Sequence, residues 1–146
     1  MHRRTLIQLA AVGGTASLLA PKLTPGLEVG QALNSPMAGG LFYTQDAPGR
    51  WSKKVASHIP NLELQRASDG KIDIQVVTRH DFDGYNHYIV KHALLDKDFQ
   101  FMMEHMFDPT KDKYPESVFT LEAYSGPLYA VSVCNKHDTW INVLLV

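Results

Sequence analysis

The sequence PLYAVSVCNKHDTWINVLLV, residues 127–146, contains two apolar segments joined by the polar stretch Cys134-Asn135-Lys136-His137-Asp138-Thr139-Trp140. Residues 127–133 and 141–146 are both typical of β-strands, so the stretch between them is predicted to be a tight connection. This connection carries the only cysteine of the chain and a histidine three residues later. A thiolate and an imidazole on one short loop can reach a single metal ion, and this pair suits iron, zinc or copper better than calcium or magnesium. A lone cysteine is more often a small buried apolar residue, so the pair needs support from elsewhere in the chain.

Short alternating segments with turns between them continue this pattern towards the N-terminus. In residues 71–78, Ile72, Ile74 and Val76 share one face, as expected of a half-buried strand. The segment 128–133 is predicted to point Tyr129, Val131 and Val133 inward. Further strands are predicted at residues 87–95, 99–106, 118–124 and 140–146, and no convincing helix follows residue 32. Short strands at this spacing predict an all-β fold, an antiparallel β-sandwich.

Length, charge and cysteine content limit the possible classes of function. The chain of 146 residues allows one domain with a core of ordinary size. Its formal net charge of −1 gives no reason to expect a nucleic-acid partner. One cysteine excludes an internal disulfide and a four-cysteine metal site within the chain.

The N-terminal residues predict export. Arg3-Arg4 precede an apolar run of small residues that ends at Ala20, which is typical of a twin-arginine signal, although a Sec signal with two chance arginines is the alternative. This run is too short for a comfortable membrane span, so no membrane association is expected after signal removal. We predict a signal peptide at residues 1–32, with Gly30-Gln31-Ala32 as the best cleavage site, a linker at 33–48, and a domain at 49–146. The expected location is periplasmic or otherwise exported.

Three further histidine-containing pieces precede the last one in order: Ser57-His58-Ile59-Pro60, then His80, then His87-Tyr88-Ile89. Together with Cys134–Trp140 they resemble the iron-binding domain of the superoxide reductase family, which includes neelaredoxin and desulfoferrodoxin. The closing stretch is similar to the family's C-N-x-H-G-x-W, with Asp138 in place of glycine. The other pieces resemble K-H-x-P, the histidine of H-P-M, and H-Y-I. Four pieces in the right order, covering about residues 49–146, are fairly specific.

The resemblance implies an immunoglobulin-like sandwich of about seven strands and one iron per chain, cycling between Fe2+ and Fe3+. As metal ligands it implies four imidazoles and an axial thiolate, with one position left open: His58, His80, His87, His137 and Cys134. The implied activity is the one-electron reduction of superoxide to hydrogen peroxide, with an external, for example rubredoxin-like, protein as electron donor. A homo-oligomer is possible.

The sequence departs from the family pattern at several positions. The lysine that precedes the family's first histidine is replaced by Ser57. Lys53 and Lys54, four and three residues earlier, are the candidates to substitute for it, and Lys54 is predicted to be catalytic together with Cys134. The proline after the second histidine is replaced by Asp81. His80 and His87 lie seven residues apart, one more than usual, so either the loop bulges or one ligand is misassigned. His92 and His105 match nothing and are interpreted as surface histidines or histidines with satisfied hydrogen bonds.

Three alternatives remain beside the reductase. An exported iron-binding module of the same fold, with weak or no reductase activity, would serve in electron transfer or ligand binding. A blue-copper carrier is disfavoured, since no methionine follows His137. A plain structural sandwich would leave Cys134 as an ordinary buried thiol.

Overall fold

The computed structural model describes residues 33–66 and 69–146. The predicted signal peptide, residues 1–32, lies outside the described residues. Within the described part, seven strands form two antiparallel sheets, which confirms the predicted all-β antiparallel fold. No helix of this part is long and apolar enough to cross a membrane.

The first sheet has the strand order β1-β2-β5 and the second the order β4-β3-β6-β7. The bounds of the strands are β1 Pro60–Arg66, β2 Ile72–Thr78, β3 Ile89–Leu95, β4 Phe101–Met106, β5 Glu116–Leu121, β6 Pro127–Cys134 and β7 Asp138–Leu145.

The main core lies between the two sheets. Ile74 and Val76 of β2 pack there with Leu94 of β3 and with Leu128 and Ala130 of β6. The predicted inward face of β2 is therefore confirmed, but the predicted inward face of β6 is wrong. Alternation places even-numbered residues of β6 between the sheets, and its valines are half-buried on the other face.

Tyr129 is nevertheless buried, because the ring of Phe99 stacks on it at a centroid distance of 4.5 Å. An aromatic ring supplied by a neighbouring turn therefore covers this part of the outer face. Alternation alone could not predict that cover.

Three elements were missed from the sequence. A 3₁₀ segment, Gly49–Lys54, continues into a short helix α1, Val55–His58, where no convincing helix was expected. Segments of six and four residues are too short to show a helical period. Strand β1 was not predicted because its alternation rests on only two apolar residues, Leu62 and Leu64, and both are only half-buried.

Residues before Gly49 pack against the end of the sandwich. Tyr43 is buried, its ring lies 5.5 Å from that of Trp140, and its backbone bonds to Thr139 and Ile141 of β7. Gly49 has a φ of +46°, and a Cβ at this residue would collide with the carbonyl oxygen of Gly39. Only glycine fits there, so this contact fixes the start of the 3₁₀ segment.

Candidate metal centre

Five side chains from three separate parts of the chain meet at one end of the sandwich. Their ligand atoms, one nitrogen or sulfur each, all lie within 4.8 Å of one another. They come from the end of α1, the loop between β2 and β3, and the connection between β6 and β7. The five are His58, His80, His87, Cys134 and His137.

Proline geometry places His58. Pro60 restricts Ile59 to an extended backbone, at φ −66° and ψ 127°, so α1 ends at His58 and β1 begins at once. The Nδ1 of His58 lies 2.8 Å from the hydroxyl of Ser57 and 3.2 Å from the carbonyl oxygen of Lys54. Because Ser57 also donates to that carbonyl, at 3.2 Å, Nδ1 carries the proton of a neutral ring. The lone pair of Nε2 is therefore free to face the other histidines.

A tight turn brings His80 and His87 together. The backbone N–H of Asp83 donates to the carbonyl of His87 at 2.8 Å, and Gly84 adopts a φ of +49°. The side-chain amide of Asn135 bonds to the backbone of the same loop at Tyr85, Asn86 and Tyr88. The loop therefore bulges to accommodate the one extra residue between His80 and His87, and both histidines reach the cluster.

The β6–β7 connection presents Cys134 and His137. Cys134 ends β6 and is paired with Asp138, which begins β7 at a left-handed φ of 63°. The sulfur accepts a hydrogen bond from the backbone N–H of Lys136 at 3.5 Å and lies 3.6 Å from Nδ1 of His137. Backbone N–H donors to a ligand sulfur adjust its electron density and so tune a bound metal.

Three short contacts link the four ring nitrogens in a row. His58 Nε2 lies 3.0 Å from His137 Nδ1, which lies 3.0 Å from His87 Nε2, which lies 3.0 Å from His80 Nε2. Nitrogens that surround one metal ion at the usual bond length of about 2.1 Å lie about 3 Å from their neighbours, so these separations suit a shared ion. The donor set and its spacing therefore fit one metal ion held by four nitrogens and a sulfur.

Electrostatics favour neutral rings in this cluster. Burial, reinforced by the neighbouring His80 and His137, lowers the pKa of His58 to about 3. Burial and the neighbouring His87 lower the pKa of His80 to about 4. The pKa values of His87 and His137 are also lowered, chiefly by burial. Neutral imidazole is the form that binds metals, so the rings already have the required protonation state.

The thiol of Cys134 differs, because burial raises its pKa. A buried thiolate needs a compensating positive charge, and a coordinated metal ion supplies one. Iron, zinc and copper all accept a thiolate with imidazoles, so this donor set is compatible with the iron site that the resemblance implies.

A cavity of about 250 Å³ opens beside three of the histidines. Lys54 and Arg79 contribute two positive charges to its wall and Asp81 one negative charge. Ser57 contributes a hydroxyl. Among the described residues, the buried Cys134 is not part of the lining of this cavity. Lys54, predicted as the substitute for the missing lysine, is thus found at the entrance to the cluster.

His92 and His105, which match no motif of the family, differ in their burial. His92 is fully buried between the sheets, with Nε2 at 2.9 Å from the hydroxyl of Thr78 and Nδ1 at 2.8 Å from that of Ser117. His105, its neighbour across the strands, is exposed. Neither is one of the five clustered side chains.

Sequence reasoning missed the residues that support the cluster. The carboxylate of Asp138 accepts hydrogen bonds from Arg50 and Trp51, and the ring of Trp51 meets that of His137 edge-on at 4.7 Å. The departure from the family's glycine at Asp138 was the available signal. Its partners lie more than eighty residues away and could not be paired with it from sequence alone.

The chain matches a known family model and is similar to several solved structures. The desulfoferrodoxin family model matches residues 50–143. Superoxide reductase (neelaredoxin) from Ignicoccus hospitalis is 26% identical, with a TM-score of 0.61, over 74% of this chain and 95% of that one. The reduced neelaredoxin of Archaeoglobus fulgidus is 25% identical, with a TM-score of 0.57, over 73% and 98% of the two chains. No curated protein sequence matches the chain.

A more distant structural relative supports the fold alone. Superoxide reductase from Nanoarchaeum equitans is 16% identical, with a TM-score of 0.54, over 62% of this chain and 94% of that one. The likeness of the sandwich therefore extends well beyond the likeness of the sequence.

Proposed function

The chain belongs to the desulfoferrodoxin family, and from that premise we propose that it reduces superoxide to hydrogen peroxide at a single iron atom. The proposed ligands are the five clustered side chains, His58, His80, His87, Cys134 and His137. The observation that carries the proposal is their convergence within 4.8 Å, since four neutral imidazoles and one buried thiol have no other evident reason to face one another.

When bound, iron would supply one electron to superoxide and regain it from an external electron-donor protein. Two protons complete the reaction, so that one superoxide ion, one electron and two protons give one molecule of hydrogen peroxide. The chain's own residues bind the metal, attract the anion and supply protons at the opening.

Charge at the cavity supports an anionic substrate. Two cations, Lys54 and Arg79, and one carboxylate, Asp81, line the opening next to the histidines, so positive charge prevails there. A positive rim around a concave site raises the encounter rate of small anions. The ammonium group of Lys54 carries a proton at this rim, and we propose that it takes over the role of the lysine that Ser57 replaces.

Pulsed superoxide mixed with the purified, iron-loaded protein tests the reaction. We expect hydrogen peroxide without molecular oxygen. Equal amounts of peroxide and oxygen would mean dismutation and would contradict the proposal.

The role of Lys54 is tested by Lys54→Gln. Because the variant loses charge at the rim, we expect its second-order rate constant to fall about five-fold at low ionic strength and to depend less on salt. Lys97→Gln is the matched control, since Lys97 is an exposed lysine paired with Asp98 in the turn between β3 and β4. Equal rates for Lys54→Gln and the wild type would exclude Lys54 as the anion-attracting group.

One observation favours a second function, an iron-binding module with weak or no reductase activity. The Ser57 hydroxyl bonds to His58 Nδ1 and the Lys54 carbonyl, so this position supports a ligand instead of offering a cation. Ser57→Lys separates the two functions. A large gain in the superoxide rate favours the module, whereas an unchanged rate favours a separate proton route such as Lys54.

We also propose that the protein is exported through the twin-arginine pathway, on the strength of Arg3-Arg4 and the apolar run that follows. This pathway carries folded proteins and would allow the metal to be loaded first. Fractionation of cells that express the full chain tests this proposal. Loss of export in a double Arg3→Lys, Arg4→Lys variant is expected, and unchanged export would point to the Sec route.

A further inference from the structure

We infer that Asp138 is a positioning residue for the metal centre, acting through Trp51 on the ring of His137. The inference rests on the proposed function in one respect, that His137 binds the metal. It concerns a contact that the resemblance to the family does not supply, because the family's residue at this position is glycine and has no side chain to make it.

The carboxylate of Asp138 joins two distant parts of the chain. Its Oδ2 accepts a hydrogen bond from Nη2 of Arg50 at 2.5 Å and another from Nε1 of Trp51 at 2.8 Å. Both partners belong to the 3₁₀ segment Gly49–Lys54, which leads directly into the helix that ends at His58. One oxygen therefore ties the His58 segment to the connection that carries His137.

The two hydrogen bonds differ in expected importance. The guanidinium of Arg50 is mostly exposed, with 65% of its side-chain surface accessible, so its ion pair contributes little. The indole of Trp51 is partly buried and packs against the cluster of Tyr43, Ile59 and Trp140. The bond to Trp51 therefore fixes a side chain that is already restricted by its packing.

Trp51 in turn contacts a proposed ligand. Its ring meets that of His137 edge-on, with centroids 4.7 Å apart and an interplanar angle of 84°. The carbonyl oxygen of His137 accepts a hydrogen bond from Nε1 of Trp140 at 2.9 Å. The ring and the backbone of His137 are thus each held by a tryptophan, and Asp138 fixes the one that touches the ring.

The backbone explains why aspartate can occupy this position. Asp138 has a φ of 63°, in the left-handed region that glycine enters most easily. Aspartate tolerates this region better than most residues. The chain therefore keeps the turn at a modest conformational cost and gains an acceptor for the indole.

Positioning has a measurable consequence for metal binding. Partners that orient a ligand from the outer shell typically change metal affinity by about 10-fold to 100-fold when removed. We expect Asp138→Gly to keep the turn but release Trp51, so that the ring of His137 is less well oriented towards the other donors.

The experiment is a titration of the metal-free full chain with Co²⁺, which gives the dissociation constant and the visible spectrum together. We expect Asp138→Gly to bind Co²⁺ about 10-fold more weakly, with shifted ligand-field bands. Trp51→Phe leaves position 138 unchanged, keeps an aromatic ring and loses the N–H donor, so it should show the same loss and the same shift. It also tests the inference if Asp138→Gly does not fold.

Matched variants separate positioning from charge. Asp138→Asn keeps an acceptor oxygen for the indole and should bind Co²⁺ within about 3-fold of the wild type, since only the exposed ion pair is lost. The double variant Asp138→Gly, Trp51→Phe should be no worse than either single variant, because both remove one interaction. Wild-type affinity and spectrum in Asp138→Gly or in Trp51→Phe would overturn the inference, and so would fully additive losses.

The indole N–H resonances of the metal-free chain provide a readout that does not depend on the metal. The chain has two tryptophans, so the Trp51 signal is assigned by its loss in Trp51→Phe. We expect this signal to shift in Asp138→Gly and to stay close to its wild-type position in Asp138→Asn. An unshifted signal in Asp138→Gly would overturn the inference. Absence of a thiolate-to-cobalt charge-transfer band in the wild type would instead count against the proposed metal site.

Discussion

Buried histidines occur in two parts of the sandwich, and the partners of their ring nitrogens differ. In the five-residue cluster, the ring nitrogens of His58, His80, His87 and His137 face one another at separations of 3.0 Å. Between the sheets, both nitrogens of His92 are bonded to hydroxyl groups. Burial lowers the pKa to about 3 both for His58 in the cluster and for His92.

Burial and a lowered pKa therefore do not by themselves identify a metal site. Burial keeps His92 neutral, and a complete hydrogen-bond network holds its ring. Ser117 donates to one nitrogen, Thr78 accepts from the other, and the Thr78 hydroxyl donates to Ser132 at 2.9 Å. The clustered rings instead direct nitrogens at one another. Nitrogens brought together in this way suit a shared metal ion, whereas the nitrogens of His92 already have partners.

The largest expected difference between the two places is in metal affinity. His80→Ala removes one of the converging nitrogens, so we expect at least a 100-fold weaker affinity for Fe²⁺ or Co²⁺, at or beyond the upper range seen even for outer-shell changes. His92→Ala leaves all five donors in place and should bind the metal within about 3-fold of the wild type. Titrations of the two variants under the same conditions measure both numbers. Equal losses would remove the distinction between the two histidine groups.

The next difference is in folding stability. His92→Ala leaves a cavity between the sheets and removes a partner from two buried hydroxyls, so we expect the free energy of unfolding to fall by about 3 kcal/mol. Urea denaturation of the metal-loaded protein measures this change. His105→Ala is the matched control: this exposed histidine lies directly opposite His92 on β4, and its removal should change stability by no more than about 0.5 kcal/mol. Similar losses of unfolding free energy in both variants would show that the buried hydrogen bonds of His92 do not stabilise the fold.

A smaller effect is expected in the response to acid. The pKa of His92 falls from its ordinary value of 6.5 to about 3, mainly through burial and then through the charge of His105. Below pH 6.5 the unfolded chain therefore binds a proton that the folded chain does not. The stability due to neutral His92 is complete above pH 6.5 and is lost as the pH falls towards 3, by up to about 1.4 kcal/mol per pH unit.

Urea midpoints of the metal-loaded protein at pH 7, 6 and 5 test this response. The wild type should lose stability more steeply with falling pH than His92→Ala, because the variant has no proton to gain on unfolding at this position. Parallel curves for the two proteins would contradict the pKa assigned to His92.

The sequence predicted the strands with a clear alternation, such as β2 with Ile72, Ile74 and Val76, and it predicted which five side chains come together. The first result depends on a local period of two, and the second on ordered motifs that resemble those of the superoxide reductase family. The prediction that Lys54 lies near the site required only that the chain turn back over a few residues.

The parts that were not predicted depend on contacts between distant residues. Strand β1 alternates weakly, and only its pairing with β2 identifies it. The burial of Tyr129 on the outer face of β6 depends on Phe99, which covers it from a neighbouring turn. The contact of Asp138 with Arg50 and Trp51 joins residues 88 and 87 positions apart, which no local pattern encodes.

The proposed function requires above all that five side chains, with Cys134 among them, hold one iron atom. The most direct test is the iron content and visible spectrum of the oxidised full-length protein, measured for the wild type and for Cys134→Ser. We predict one iron per chain and a thiolate-to-ferric charge-transfer band that is absent from Cys134→Ser. A wild-type protein that binds iron without this band, or a band that persists in Cys134→Ser, would contradict the claim.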